Sequence, residues 1–170
     1  AFTGKLNGTN ITSDIELEID GNVDKLEFKQ GLYQNIKVNG LASSKSFIGE
    51  VLTEDPNLNL NFEGELGYGQ ENPNWIFKTK LQGLDLESLG LGYLGQKVWG
   101  LADVDVLGKD IKTLTGDILL EDVQILRKGK YYNYKSIAVS KTALKDGGSK
   151  LEMYGDLAEA EIKGNIDITK

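Results

Sequence analysis

The chain contains neither cysteine nor histidine. Most zinc sites, Ser-His-Asp triads and Cys-His dyads are excluded, because each of them needs a thiolate or an imidazole. A disulfide framework is excluded as well, but this leaves the compartment open, since a reducing cytosol and many bacterial envelope proteins both fit. We expect a protein that is not an enzyme, with no catalytic residues, no metal and no cofactor.

Positive charge is scarce too. Lys and Arg number 19 against 26 Asp and Glu, which gives a formal net charge of −7. Nucleic acids and anionic lipid surfaces attract basic proteins, so we expect no nucleic-acid partner and no electrostatic adhesion to a membrane. No apolar run reaches the roughly 18 residues that a membrane-spanning helix needs. The hydrophobic content of 39% is nevertheless enough for a folded domain.

What the sequence has in abundance is alternation of apolar and polar residues. Between positions 58 and 68, one parity carries Leu58, Leu60, Phe62, Leu66 and Tyr68, and the other carries Asn and Glu. Successive side chains of a β-strand point to opposite faces, so this stretch predicts a ribbon with one apolar and one polar face. The same pattern recurs along most of the chain and predicts an all-β protein of ten to twelve mostly antiparallel strands.

Turn signals separate these strands. Residues 55–57 (Asp-Pro-Asn) and 146–149 (Asp-Gly-Gly-Ser) are typical of tight connections, and we also predict a hairpin turn at 20–22 (Asp-Gly-Asn). Alternation is lost over residues 84–91, where the spacing of Leu86 and Leu89 predicts a single helical turn. In the strand predicted at 97–107, apolar residues occupy both parities. That strand is therefore either covered on both faces or paired with sequence outside this chain.

Similar segments recur about one hundred residues apart. Residues 33–38 (YQNIKV) resemble 134–139 (YKSIAV), and 62–66 (FEGEL) resemble 162–166 (IKGNI). The shared unit places a glycine inside a strand, as happens where a sheet bends. The alternative is that alternation makes any two strands look alike.

We predict one β-repeat segment of a larger protein, spanning 1–170. Its first repeat covers about 1–91 and its second about 112–170, with a connector at 84–97.

Two motifs resemble binding sites, one for a dinucleotide and one for calcium, but their context supports neither. Residues 90–95 match G-x-G-x-x-G, but a dinucleotide site needs a helix after the motif, and a strand is predicted there instead. Asp14, Glu16, Glu18 and Asp20 share one face of one strand, yet calcium loops usually supply backbone carbonyls as well. We interpret the first as a connector and the second as a solvated face.

The apolar stripes admit two architectures. Alternating strands most often build a closed β-sandwich, which here would be a structural or adhesive module of a cell-surface protein. The other architecture is a long, curved, open antiparallel sheet whose concave face holds lipid acyl chains. Burying a sixteen-carbon chain there would gain on the order of 10 kcal/mol before ordering costs. We favour the curved sheet and keep the sandwich as the alternative.

A carbohydrate-binding module is a third interpretation. It would use Trp75, Trp99, Tyr131 and Tyr132, and it requires these four rings to lie exposed on one patch.

Four segments resemble the repeats of a known family. These are residues 33–40 (YQNIKVNG), 47–51 (FIGEV), 55–64 (DPNLNLNFEG) and 84–91 (LDLESLGL). They are similar to the repeats of TamB-like proteins, which belong to the AsmA-like group of bacterial envelope proteins, and D-P-N-L-x-L-x-F-x-G resembles Bacteroidetes-type members. The resemblance covers about 31–91 and recurs more loosely over 114–168.

This resemblance implies a β-taco, a U-shaped half-barrel with an apolar interior, located in the periplasm. The full-length protein would be anchored in the inner membrane and would contact an Omp85-type outer-membrane barrel through parts outside this chain. The implied role is inter-membrane phospholipid transport and outer-membrane assembly, with phospholipid acyl chains as the ligand and no catalytic residues. The inward parity predicts a groove lined by Ile36, Val38, Phe47, Val51, Leu58, Leu60, Phe62, Leu66, Phe77, Leu81, Ile118, Leu120, Ile137, Val139, Leu151, Met153, Ile162 and Ile166.

Overall fold

A computed structural model describes residues 2–11, 14–28, 31–69, 71, 73–87, 95–109 and 113–164. Within these ranges the chain forms eleven strands. They are β1 (Phe2–Ile11), β2 (Asp14–Phe28), β3 (Gly31–Ser43), β4 (Ser46–Asp55), β5 (Leu58–Gly67), β6 (Asn74–Asp85), β7 (Lys97–Leu107), β8 (Thr115–Arg127), β9 (Lys130–Ala143), β10 (Ser149–Gly155) and β11 (Ala160–Gly164).

All eleven strands belong to one sheet, in which each strand pairs antiparallel with its neighbours in sequence. In the described residues, each strand makes its substantial contacts with the strands that precede and follow it in sequence. The sheet is curved and open, with β1 at one edge and β11 at the other. The predicted curved antiparallel sheet is therefore confirmed. The closed β-sandwich required two sheets packed face to face and is not the architecture found.

The single-layer architecture leaves a large surface. The chain exposes 11195 Å², whereas a compact monomer of this mass would expose about 8300 Å². The excess of about a third arises because no second layer covers the sheet in the described part of the chain. Burial therefore depends on contacts between side chains of neighbouring strands.

The predicted hairpin turn at 20–22 is wrong. β2 runs unbroken through these residues, with Gly21 opposite Gly4 of β1 and Val38 of β3. An Asp-Gly pair favours a turn only when nothing competes for its backbone groups. Here β1 and β3 supply hydrogen-bonding partners on both sides, so residues 20–22 form part of a strand and not a turn.

β7 pairs on both sides within the chain, with β6 and with β8. Ala102, Val104 and Val106 are buried, whereas Leu101 and Leu107 are exposed. The strand is therefore neither covered on both faces nor paired with sequence outside this chain. One set of its apolar residues faces the buried side of the sheet, and the other faces solvent.

Glycines mark where neighbouring backbones approach most closely. Gly40, Gly49 and Gly64 lie opposite one another on β3, β4 and β5. A Cβ added at Gly64, whose φ is 148°, would lie 2.3 Å from the carbonyl oxygen of Ile76. A side chain does not fit at this point, as expected in a strongly bent sheet.

Left-handed residues inside two strands shift the alternation by one position. Asn35 in β3 has a φ of 56°, and Tyr33 and Ile36, three residues apart, are both buried. Asp122 in β8 has a φ of 49° and is followed by buried Val123. Asn and Asp tolerate this conformation better than other non-glycine residues.

Each of the two segments matched in sequence makes an equivalent backbone-to-aspartate hydrogen bond. Gln34 N donates to Asp55 Oδ2 at 2.9 Å, and Lys135 N donates to Asp156 Oδ2, with a sequence separation of 21 in each case. The division into two repeats stays a prediction. In the connector predicted at 84–97, residues 84 and 85 belong to β6, residues 86–87 form a turn and residue 97 begins β7, while 88–94, with much of the predicted helical turn, lie outside the described residues.

Candidate functional site

Three rows of residues run across the sheet and form what we call the apolar face. Directly opposed residues on neighbouring strands share a face, so the strand register defines each row. The first row is Leu17, Ala42, Phe47, Leu66, Trp75, Val106, Gly116, Lys141, Leu151 and Ile162. The second is Ile19, Gly40, Gly49, Gly64, Phe77, Val104, Ile118, Val139, Met153 and Ala160. The third is Gly21, Val38, Val51, Phe62, Thr79, Ala102, Leu120, Ile137 and Gly155.

The apolar face is almost free of polar groups. Within these three rows, the side chains that are not apolar are those of Thr79 and Lys141. Aromatic rings follow one another across the middle of the face, where the centroid of Phe62 lies 6.4 Å from that of Phe47 and 5.2 Å from that of Phe77. These separations are those of favourable ring contacts.

In the part of the chain that the structure describes, the burial of this face comes mainly from neighbouring strands. Ala102, Val104 and Val106 form a buried cluster against partly buried side chains of β6 and β8, including Phe77 and Ile118. Most other side chains of the three rows are half-buried. The described residues provide no covering layer, so side chains of adjacent strands on this face bury one another only in part.

The opposite face, which we call the polar face, is exposed. One of its rows contains Asp20, Asn39, Glu50, Glu63, Lys78 and Asp103. Lys78 Nζ lies 2.7 Å from Asp103 Oδ2, and this hydrogen bond and charge raise the pKa of Lys78. Shallow hollows of about 340 Å³ lie on this face, one of them beside Asp103, Asp105 and Asp117. Exposed apolar residues also occur here, namely Leu41, Ile48, Ile76, Leu101 and Leu107.

The register brings the predicted lining residues together. Most of them lie in the three rows, namely Phe47, Leu66, Leu151, Ile162, Phe77, Ile118, Val139, Met153, Val38, Val51, Phe62, Leu120 and Ile137. The same parity continues toward one end of the strands with Ile36, Leu58, Leu60 and Leu81. Ile162 is 51% exposed, and Ile166 lies outside the described residues. Contact of these side chains with an acyl chain stays a prediction.

Sequence reasoning missed part of the face. Ala102, Val104 and Val106 form its buried centre, but apolar residues on both parities of their strand hid which set points inward. Lys141 was also missed, because nothing in its neighbourhood distinguishes a lysine on the apolar face from one in solvent. It is only 6% exposed, between Gly116 and Leu151.

The aromatic patch required for a carbohydrate-binding module does not form. Trp75 lies opposite Val106, near the end of β7, whereas Trp99 lies near its beginning. Trp99 instead contacts Tyr131, with ring centroids 6.2 Å apart. The four rings are thus divided between the two ends of the strands.

A buried polar cluster closes one hairpin. Thr53 is fully buried and donates from Oγ1 to the carbonyl oxygen of Leu58 at 2.9 Å. Asp55, 2% exposed, accepts hydrogen bonds from the backbone N–H of Gln34 and, at 2.8 Å, from that of Asn57. The cluster joins the turn after β4 to β3.

The remaining candidate sites gain no support. Glu16, Glu18 and Asp20 are exposed, and the part of the chain that the structure describes contains no group of three potential ligands placed to hold a metal ion. Of the G-x-G-x-x-G motif only Gly95 is described, and its N–H donates to Glu87 Oε2 at 3.1 Å. The described residues also include no helix of the length and apolarity that crossing a membrane requires.

Comparison with known proteins adds no relative. No family model, no curated protein and no solved structure matches this chain. The likeness to TamB-like repeats therefore depends on the residues quoted above.

Proposed function

We propose that this chain is a non-enzymatic segment that holds lipid acyl chains on its apolar face. The observation that carries the proposal is a lining that is apolar except for Thr79 and Lys141 and extends from β2 to β11 of an open sheet, with no second layer over it in the described residues. Exposed apolar patches of this extent usually mark a binding surface.

The physical case is the incomplete burial of the lining. Phe47, Leu66 and Phe77 are only half-buried by their neighbours, so a hydrocarbon chain that covers them removes further apolar area from water. Each buried methylene contributes about 0.8 kcal/mol. Such binding needs no catalytic group and no charge beneath the tail, and Lys141 is the one charged side chain in the three rows.

The cellular role is the second part of this proposal. By its resemblance to TamB-like repeats, the chain would lie in the periplasm within a protein anchored in the inner membrane. There it would take part in phospholipid transport between membranes and in outer-membrane assembly. Contact with an Omp85-type barrel would be made by parts outside this chain.

A photocrosslinking experiment tests acyl-chain contact with a matched pair of neighbours. Phe77 belongs to the apolar face, and the preceding residue, Ile76, is 46% exposed on the polar face of the same strand. With benzoylphenylalanine at position 77 and phospholipid vesicles present, we expect a lipid adduct detectable by mass spectrometry. The same group at position 76 should give little adduct. Equal labelling at both positions, or none at position 77, would contradict the proposal.

Organic extraction provides a second test. Protein purified from a bacterial envelope fraction should release phospholipid, identified by mass spectrometry of the extract. A lipid-free, stable monomer that also gives no adduct at position 77 would favour the alternative role as a structural or adhesive module.

A further inference from the structure

A hollow lies at one end of the apolar face, and we call it the mouth. Its volume is about 430 Å³, within the range of small-molecule sites. Its walls are Gly67, Tyr68, Gly69, Pro73, Trp75 and Lys109. Trp75 also belongs to the first row of the apolar face, two residues before Phe77, so the mouth is continuous with the apolar lining.

The two rings of the mouth are held by their polar atoms. Trp75 Nε1 donates to the carbonyl oxygen of Gly67 at 2.7 Å. The Tyr68 hydroxyl lies 2.7 Å from the carbonyl oxygen of Ser43 and 2.9 Å from that of Ser46. Since these groups are already hydrogen-bonded within the protein, ring surface is what both residues offer to a ligand. Tyr68 is 56% exposed, so much of its surface is accessible.

The floor of the mouth is backbone with no room for side chains. A Cβ at Gly67 would lie 2.8 Å from the carbonyl oxygen of Asn74, and one at Gly69 would lie 2.3 Å from that of Ser44. The N–H groups of Tyr68 and Gly69 both donate to the carbonyl oxygen of Lys45. Glycine is therefore required at these two positions of the mouth.

Lys109 supplies a cation beside the two rings. Its backbone is held in place because Gly108 N donates to the carbonyl oxygen of Pro73 at 2.9 Å and Lys109 N donates to Thr113 Oγ1 at 3.2 Å. The side chain is exposed. Indole and phenol rings next to a lysine are the combination that proteins place at the boundary between hydrocarbon and water.

We propose that the mouth binds the anionic phosphate headgroup of the acylated ligand, while the tail extends over Phe77 and Phe47. This inference rests on the proposed function and adds a preferred lipid class and an orientation. The net charge of −7 makes an anion unfavourable over most of the surface, so a lysine at the end of the apolar lining is a selective place to hold one. The contact is a solvent-exposed charge pair, for which a fewfold change in affinity is expected.

Trp75 reports on this site directly. The chain has two tryptophans, so replacing Trp99 by Phe leaves Trp75 as the sole indole fluorophore. Myristoyl-lysophosphatidylglycerol should change its emission and bind more tightly than monomyristoylglycerol, which has the same tail without the phosphate. Inorganic phosphate alone should bind far more weakly than either lipid.

Charge variants identify the group responsible. Lys109→Gln should lower the affinity for the lysophospholipid about fivefold and leave that for monomyristoylglycerol unchanged. Lys109→Arg should restore it. Lys80→Gln is the matched control, because Lys80 is an exposed lysine of the polar face, and it should have no effect.

The outcomes separate the two proposals. Tail binding that does not depend on the phosphate or on Lys109 would overturn the headgroup site and leave acyl-chain binding intact. Inorganic phosphate that binds as tightly as the lysophospholipid would also overturn it, by making the mouth a site for free phosphate. If neither lipid binds and position 77 gives no adduct, the proposed function itself fails.

Discussion

Thr53 and Thr79 share one face of the sheet but differ in their hydrogen bonding. Thr53 Oγ1 donates to the carbonyl oxygen of Leu58 and accepts from the N–H of Asp55 at 3.3 Å. Thr79 Oγ1 is buried without a hydrogen-bond partner among the described residues. A buried hydroxyl without a hydrogen-bond partner lowers stability. Removing a hydroxyl that is hydrogen-bonded also lowers stability, because its former partners are left buried without one.

Replacing each threonine by valine should therefore have opposite effects. Thr79→Val is expected to raise the free energy of unfolding by up to about 1 kcal/mol, and Thr53→Val to lower it by about 1–2 kcal/mol. Urea denaturation of the lipid-free chain measures both. A destabilised Thr79→Val would mean that its hydroxyl has a partner in solution.

Asp55 should contribute more to stability than its neighbour Glu54. Asp55→Ala removes the acceptor for the N–H groups of Gln34 and Asn57, and we expect a loss of about 2 kcal/mol in the free energy of unfolding. Glu54 is exposed in the same strand, so Glu54→Ala is the control and should change stability by less than about 0.5 kcal/mol. Similar losses for the two variants would argue against a role for the buried cluster.

Gly64 tests the closeness of neighbouring strands. Gly64→Ala should lower the free energy of unfolding by at least about 2 kcal/mol, because its Cβ would collide with backbone atoms of Ile76 and Phe77. Gly8→Ala is a milder change, since the nearest atom to its Cβ is the end of the Leu17 side chain at 3.3 Å. Equal denaturation midpoints for both variants would contradict this close approach.

At the scale of elements, one ion pair on the polar face, Lys150 with Glu161, joins the short edge strand β11 to β10 in addition to their backbone pairing. Lys150 Nζ lies 2.6 Å from Glu152 Oε1 and 3.2 Å from Glu161 Oε2, and Lys163 Nζ lies 2.7 Å from Glu161 Oε1. Hydrogen bonds from Lys163 and then Lys150 lower the pKa of Glu161, and those from Lys150 and then Tyr154 lower the pKa of Glu152. The same contacts raise the pKa of Lys150.

These pKa shifts predict that the attachment of β11 weakens in acid. A carboxylate with a lowered pKa stabilises the fold above its ordinary value, 4.5 for glutamate, and this contribution is lost as the pH falls through the lowered value. The contribution of Lys150, with a raised pKa, is complete below 10.5 and is lost only as the pH rises beyond that value. From neutral pH, loosening therefore occurs on acidification.

NMR can follow this loosening as amide chemical shifts and relaxation of residues 160–164 between neutral pH and about pH 3. Glu161→Gln should reproduce the acid behaviour at neutral pH, whereas Glu159→Gln, an exposed residue between the strands, should not. If β11 in the native chain is insensitive to acid, the ion pairs do not hold it.

The elements show where sequence reasoning works. Strict alternation located β4 to β6 well, since each of these strands keeps one parity inward along most of its length. It failed at residues 20–22, because a local turn signal contains no information about the partners that β1 and β3 bring to β2. It also gave no sign of the shifts at Asn35 and Asp122, because most Asn and Asp residues do not adopt the left-handed conformation that these two have.

At the scale of the whole molecule, the substantial contacts among the described strands are between consecutive strands. The sheet thus resembles a repeat protein, in which stability is nearly a sum over neighbouring units. Removing residues 149–170, which include β10 and β11, should leave β1 to β9 folded. We expect the circular-dichroism strand signal to fall in proportion to the residues lost, with the remainder still unfolding cooperatively.

A charged substitution in the centre of the sheet serves as the comparison for this truncation. Val104→Asp places a carboxylate in the buried cluster with Ala102 and Val106, and it should destabilise the molecule far more than the truncation does. Collapse of the truncated chain, with no strand signal left, would mean that long-range interactions hold the sheet together.

By itself, the sequence determined the strand content, the existence of one apolar and one polar face, and the assignment of most side chains to each. These properties follow from the two-residue period of a strand, which is local. Only the tertiary structure decided that all eleven strands join one open sheet, that the middle of β7 is the buried centre, and that Trp75, Tyr68 and Lys109 meet at one end. Those outcomes depend on register and curvature, which are set by partners distant in sequence.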